Sequence, residues 1–138
     1  EILKYYKIPI EGAKACIVNR SLVLGKPLAM MMLAENATVE ICHSKTKNLA
    51  KQVSDAEIVI TGTGKAKMFD NTYFNPASVV IDVGINYEDD KMCGDVNYED
   101  VADRVSAITP VPGGVGTVTS TILLRHVLQA VKLTITDN

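Results

Sequence analysis

Short runs of continuous apolar residues alternate along this chain with segments whose apolar positions recur every three or four residues, the pattern of strands joined by helices. Ala13 to Val18 reads as a first strand, closed by Asn19-Arg20-Ser21. A helix follows from about Pro27 to Glu35, with Pro in its first turn, where a missing N–H costs nothing, and Leu28, Met31 and Met32 as its apolar stripe. Thr38 to Cys42 is a second strand, after which Thr46 can cap a short helix carrying Leu49, Ala50 and Val53. Glu57 to Thr61 and Val79 to Val83 are further strands; such unalternating runs suit parallel strands covered on both faces.

Asn86 to Asp95 holds a Glu-Asp-Asp-Lys turn and predicts a hairpin excursion. Val105 to Thr109 is another strand, and a last helix starts near Thr117 to Thr119 with Leu124, Val127, Leu128 and Val131 at helical spacing. Strands separated by helices of this length imply right-handed crossovers. The fold class is therefore α/β, a doubly wound, mostly parallel sheet of Rossmann type with helices on both faces.

Composition narrows this picture. With 138 residues, 47% hydrophobic and 22% charged, the chain has room for one domain with a full core. A net charge of −2 without any long basic run argues against nucleic acid or an anionic membrane surface as a partner. No apolar stretch is long enough to predict a membrane span, and no signal-peptide pattern opens the chain. Cys16, Cys42 and Cys93 are widely spaced and lack a C-x-x-C, so they predict buried small hydrophobes in a reducing, cytoplasmic setting and no metal site. The chain starts without Met inside a plausible helical turn, as though cut from something longer.

In doubly wound sheets, ligands bind beyond the carboxyl ends of the strands, at the switch point. The loop after the first strand, Asn19 to Pro27, matches neither G-x-G-x-x-G nor the nucleotide-triphosphate loop. Even so, Gly25 permits close backbone approach, and the following helix is expected to offer free N–H groups to a phosphate; an ordinary tight connection is the plainer alternative. After the second strand, where NAD binders usually place an acid against the ribose, stands Cys42-His43-Ser44-Lys45-Thr46. A 2′-phosphate would find donors here and at Arg20, which favours NADP over NAD. Pro110-Val111-Pro112-Gly113-Gly114-Val115-Gly116 joins a stiff entry to glycines that let backbone press on a flat ring. Neither His43 nor His126 is a persuasive acid or base, although His43 is placed to add charge beside the phosphate. Asp82, ending a strand, is read as holding its loop by accepting backbone N–H bonds, with a catalytic carboxylate as the alternative.

Taken in order, Arg20-Ser21-x-x-Leu24-Gly25-Lys26-Pro27, Cys42-His43-Ser44-Lys45-Thr46, Val80-Ile81-Asp82-Val83-Gly84-Ile85-Asn86, Gly94-Asp95-Val96 and Ile108 to Gly116 resemble the methylenetetrahydrofolate dehydrogenase/methenyltetrahydrofolate cyclohydrolase family of bifunctional FolD type. The resemblance implies that residues 1–10 end an interdomain linker helix and that 11–138 form an NAD(P)-binding Rossmann domain, the catalytic domain lying outside this chain. It implies no catalytic residue here: Tyr5 and Tyr6 lack the family's Tyr-x-x-x-Lys spacing, since Pro9 and Ile10 stand four residues on. It implies that Arg20 and Ser44 contact the 2′-phosphate, that Ser21, Leu24 and Gly25 lie along the cofactor, and that Val83 and Ile85 meet the nicotinamide. Gly113, Gly114 and Thr119 are implied close to cofactor and folate. Two positions depart from the family: Asn19 replaces the usual Gly, and Thr117 replaces the usual Pro, where it can cap the following helix.

The activity so implied is oxidation of 5,10-methylenetetrahydrofolate with NADP and hydrolysis of the methenyl product, a step of one-carbon metabolism serving purine biosynthesis, in a homodimer. Two further readings are a non-catalytic dinucleotide-binding or docking module and an NAD-dependent monofunctional dehydrogenase. Asn19 is the residue that keeps the last of these open.

Overall fold

The computed structural model describes residues 1–136. Strands β1 (Lys14–Val18), β2 (Thr38–Cys42), β3 (Ile58–Thr61) and β4 (Val79–Asp82) form a parallel sheet. A hairpin of β5 (Asn86–Glu88) and β6 (Lys91–Cys93) leaves it, and β7 (Ala107–Ile108) completes the five-stranded order β2-β1-β3-β4-β7. The helices are α1 (Ile2–Tyr5), α2 (Gly25–Ala34), α3 (Leu49–Ser54), α4 (Tyr98–Val101) and α5 (Val115–Thr136).

Central β1 and β3 are buried along nearly their whole length, whereas β2, at the edge, exposes Thr38 and Ile41. Alternating side chains supply two cores. Cys16, Val18, Val59 and Val80 meet Val53 and Phe69 on one face; Ala15, Ile17, Ile58 and Ile60 meet Ala29 and Met32 of α2 on the other. Each large apolar side chain so buried contributes about 1.5–3 kcal/mol. The register then fixes the site. Val18 lies opposite both Cys42 and Thr61, and Thr61 lies opposite Asp82, so four strands finish level and release their loops along one edge.

Several expectations change. Helix α2 begins at Gly25, and its inward face is the row Gly25, Leu28, Ala29 and Met32, at i, i+3, i+4 and i+7, so Met31 of the expected stripe lies off that row and faces solvent. The strand expected over 105–109 shrinks to Ala107–Ile108, which lie opposite Val79 and Val80 in the ladder, while Thr109 joins β4 by donating its N–H to the Val80 carbonyl (3.0 Å) and accepting the Asp82 N–H at its hydroxyl oxygen (2.9 Å). Helix α5 starts at Val115, so Thr117 is inside it and donates its hydroxyl hydrogen to the Gly114 carbonyl (2.7 Å) in place of capping. Leu124, Val127, Leu128 and Val131 are exposed along α5, because, among the described residues, neither core takes a side chain from that helix. The hairpin forms as expected, with Asp89 and Asp90 both at positive φ in its turn, the backbone that a two-residue hairpin loop needs.

Candidate functional site

The loop after β1 is organised by one side chain. Asn19 Oδ1 accepts the backbone N–H of Ser21 (2.8 Å) and of Gly25 (3.0 Å), while its Nδ2 donates to the Gly62 carbonyl (2.5 Å) just past β3. Ser21 adds two bonds: its Oγ accepts from Leu24 N and its carbonyl from Lys26 N, both at 3.0 Å. Gly25 has to be glycine here, because a Cβ would run into the Asn19 carbonyl. The expectation of free N–H groups at the head of α2 is thus corrected: those of Leu24, Gly25 and Lys26 are taken within the loop, and Pro27 has none.

The turn after β2 is closed reciprocally, Thr46 Oγ1 accepting from His43 N (2.9 Å) and His43 O from Thr46 N (2.8 Å). Thr46 therefore closes the turn and does not cap α3, whose N-cap is Asn48 in the left-handed region at φ 53°. His43 Nδ1 accepts from Lys45 N (3.1 Å), which gives the ring a structural task in this turn. Together these loops and the one after β3 wall a cavity of about 220 Å³ whose polar lining includes Asn19, Arg20, His43, Ser44, Thr63 and Lys65. Arg20, Ser44 and Lys65 are exposed, one at the end of each of three adjacent strands.

Farther along the edge, two buried carboxylates hold the remaining loops. Asp82 accepts from the backbone N–H groups of Gly84 (2.9 Å), Asp95 (3.2 Å) and Val96 (2.9 Å) and from Thr61 Oγ1 (3.1 Å), as expected of a residue that fixes its loop. Burial pushes its carboxyl above the usual carboxylate range, against the pull of these bonds. Asp95, wholly buried, accepts from Thr63 N and Oγ1, Lys65 N and Asn86 Nδ2. The β3 loop, β4 loop and hairpin are thereby locked to one another. A second cavity of about 620 Å³ opens beside them, floored by Val83, Gly84 and Ile85 and roofed by the 110–116 segment and the start of α5. Gly113 sits at φ +96°, and a Cβ on Gly114 would strike the Pro110 carbonyl, so the roof is close-packed backbone.

The expected site residues thus fall into two groups on one edge. Arg20 and Ser44 share the first cavity; Val83, Ile85, Gly113, Gly114 and Thr119 share the second. Ser21, Leu24 and Gly25 line neither and shape the loop between them. Thr119 Oγ1 donates to the Val115 carbonyl (2.9 Å). The spacing of residues gave no warning of Lys65 or of the work done by Asp95; the glycine pair Gly62 and Gly64 around Thr63, straight after a strand, was the available signal. Cys16 and Cys42 are buried with sulfurs 3.7 Å apart and thiols pushed up by burial. Among the described residues there is no cluster of metal-ligating side chains, and no helix is long and apolar enough to cross a membrane.

Comparison with known proteins places this geometry. The family model for the tetrahydrofolate dehydrogenase/cyclohydrolase NAD(P)-binding domain matches residues 1–135. The chain is 56% identical over 132 residues to bifunctional protein FolD 1 of Desulfitobacterium hafniense, covering 95% of this chain and 47% of that protein. The Campylobacter jejuni bifunctional enzyme FolD superposes with a TM-score of 0.93 at 40% identity, over 96% of this chain and 48% of that one. The Trypanosoma brucei methylenetetrahydrofolate dehydrogenase-cyclohydrolase, solved with NADP and an inhibitor, gives 0.90 at 31% identity, over 97% and 48%. The chain spans about half the length of the curated relatives it matches.

Proposed function

The chain belongs to the tetrahydrofolate dehydrogenase/cyclohydrolase NAD(P)-binding domain family, and from that membership we propose that it holds NADP for the oxidation of 5,10-methylenetetrahydrofolate and the hydrolysis of its methenyl product. The observation that carries this is the level finish of β1, β2, β3 and β4, which sets two cavities of different chemistry along one sheet edge.

The residues present suit such a cofactor. Arg20, Ser44 and Lys65 supply two cations and a hydroxyl around the first cavity, and no acid stands there to take a plain ribose. The second cavity, of apolar side chains and glycine backbone, fits a flat ring and its carboxamide. A nicotinamide held there would supply the hydride acceptor, and the protein's part would be to orient it.

Within this chain, Arg20 and Ser44 bind the 2′-phosphate end, and Val83 and Ile85 support one face of the ring. Asp82 and Asp95 keep the ring pocket rigid, and the 110–116 segment, with Gly113 and Gly114, brings backbone against the opposite side and toward the folate. We assign the proton transfers of the cyclohydrolase step to groups outside this chain, since the buried acids on this edge, Asp82 and Asp95, are engaged in holding the loops. The test is equilibrium titration of the chain with NADP: saturable one-to-one binding supports the proposal, and its absence contradicts it.

A further inference from the structure

We infer that Asn19 is a cofactor-affinity residue that occupies, with its own carboxamide, the backbone donors a dinucleotide's pyrophosphate would otherwise take. Recognition in this chain thereby shifts from the pyrophosphate to the 2′-phosphate and the side chains around its cavity, Arg20, Ser44 and Lys65. The inference rests on the dinucleotide reading of the cleft proposed above.

Asn19 follows β1, beside β3, at the switch point where doubly wound sheets place the pyrophosphate against the next helix. A phosphate oxygen held at such a helix start accepts two or more converging backbone N–H groups. Asn19 Oδ1 does this already, from Ser21 and Gly25. Its amide nitrogen is anchored across the crevice to Gly62, so the group cannot swing aside without losing all three bonds. Ser21 takes the N–H groups of Leu24 and Lys26, and Pro27 donates none. A pyrophosphate arriving here meets a helix whose leading donors are spent.

The side chains have to compensate. Among the described residues neither Arg20 nor Lys65 forms an ion pair within the chain. Both remain available to an anion, and both border the cavity that Ser44 lines. Binding is consequently weighted toward charge and toward the 2′-phosphate, and weakly served by the pyrophosphate that NAD and NADP have in common.

Calorimetric titration of the wild-type chain, Asn19→Ala and Asn19→Asp with NADP, NAD, ADP-ribose and adenosine 2′-monophosphate tests this. Freeing the Ser21 and Gly25 donors in Asn19→Ala should tighten NADP, NAD and ADP-ribose by a common factor of about ten, the order of one charge-assisted bond. Adenosine 2′-monophosphate, which has no pyrophosphate, should keep its affinity. Asn19→Asp keeps the acceptor for Ser21 and Gly25, loses the donor to the Gly62 carbonyl, and adds a negative charge beside the pyrophosphate; it should weaken the three pyrophosphate ligands by about tenfold. Asn19→Asp thus carries the test if Asn19→Ala does not fold. Unchanged or weaker pyrophosphate binding in a folded Asn19→Ala, or unchanged binding in Asn19→Asp, overturns the inference and leaves the dinucleotide reading intact. A wild-type chain that binds none of the four ligands overturns both.

Discussion

Asp82 and Asp95 are joined head to tail: the backbone N–H of Asp95 donates to Asp82 Oδ1 at 3.2 Å, while the Asp95 carboxylate reaches onward to Thr63, Lys65 and Asn86. Two buried acids therefore tie the ends of β3 and β4 to the hairpin without any cation between them. Backbone amides do the neutralising, which is how a buried carboxylate is held where loops, not helices, converge.

Removing the second acid should be costly. Asp95→Ala leaves the Thr63 and Lys65 N–H groups unpaired and should lower stability by about 2–4 kcal/mol, read as a reduced urea midpoint. A midpoint unchanged from wild type would show that the three loops are held by something else.

The first acid should reveal itself through pH. Its folded pKa lies above its ordinary value of 3.8, so the native state binds the proton more tightly than the unfolded chain. Its favourable contribution is complete below that ordinary value and is lost as pH rises through the folded one. The thermal midpoint of wild type minus that of Asp82→Asn should thus be larger at about pH 4 than at about pH 7. A difference that shrinks on acidification would mean that the hydrogen bonds outweigh burial.

Much of this architecture was legible in the sequence, for a definite reason. Apolar runs such as Ile58 to Ile60 and Val79 to Ile81 have no polar face to mislead, and strands buried on both sides show as such. The loops after them were legible because doubly wound sheets bind there. What escaped was set by partners distant in sequence. Asn19 meets Gly62 across the crevice, and Asp95 meets Thr63 32 positions away, so no local period marks either. Met31 and Leu124 mislead in the other direction, being apolar, at helical spacing and exposed.

Two glycines should respond with opposite sign to the same change. Gly94→Ala pushes a Cβ onto the buried Asp82 carboxylate and should cost about 1–3 kcal/mol. Gly116→Ala, in the first turn of α5 with open space around it, should gain about 0.4–1 kcal/mol. Chemical unfolding of both variants checks the pair, and equal losses would contradict the packing described for the hairpin.

The exposed stripe of α5 should tolerate charge. Leu128 is 64% exposed, so Leu128→Lys should shift the stability of this chain by less than about 0.5 kcal/mol. A loss beyond about 2 kcal/mol, the scale of a buried leucine, would place that face against the body of the domain.

This edge of the sheet should hold a dinucleotide by its 2′-phosphate, and paired titrations of NADP and NAD into wild type and Arg20→Ala decide the matter. Wild type should bind NADP at least about tenfold tighter than NAD, and Arg20→Ala should lose most of that margin while NAD affinity stays within about twofold. Equal affinities in wild type, or tighter NAD binding that Arg20→Ala leaves unaltered, would contradict it.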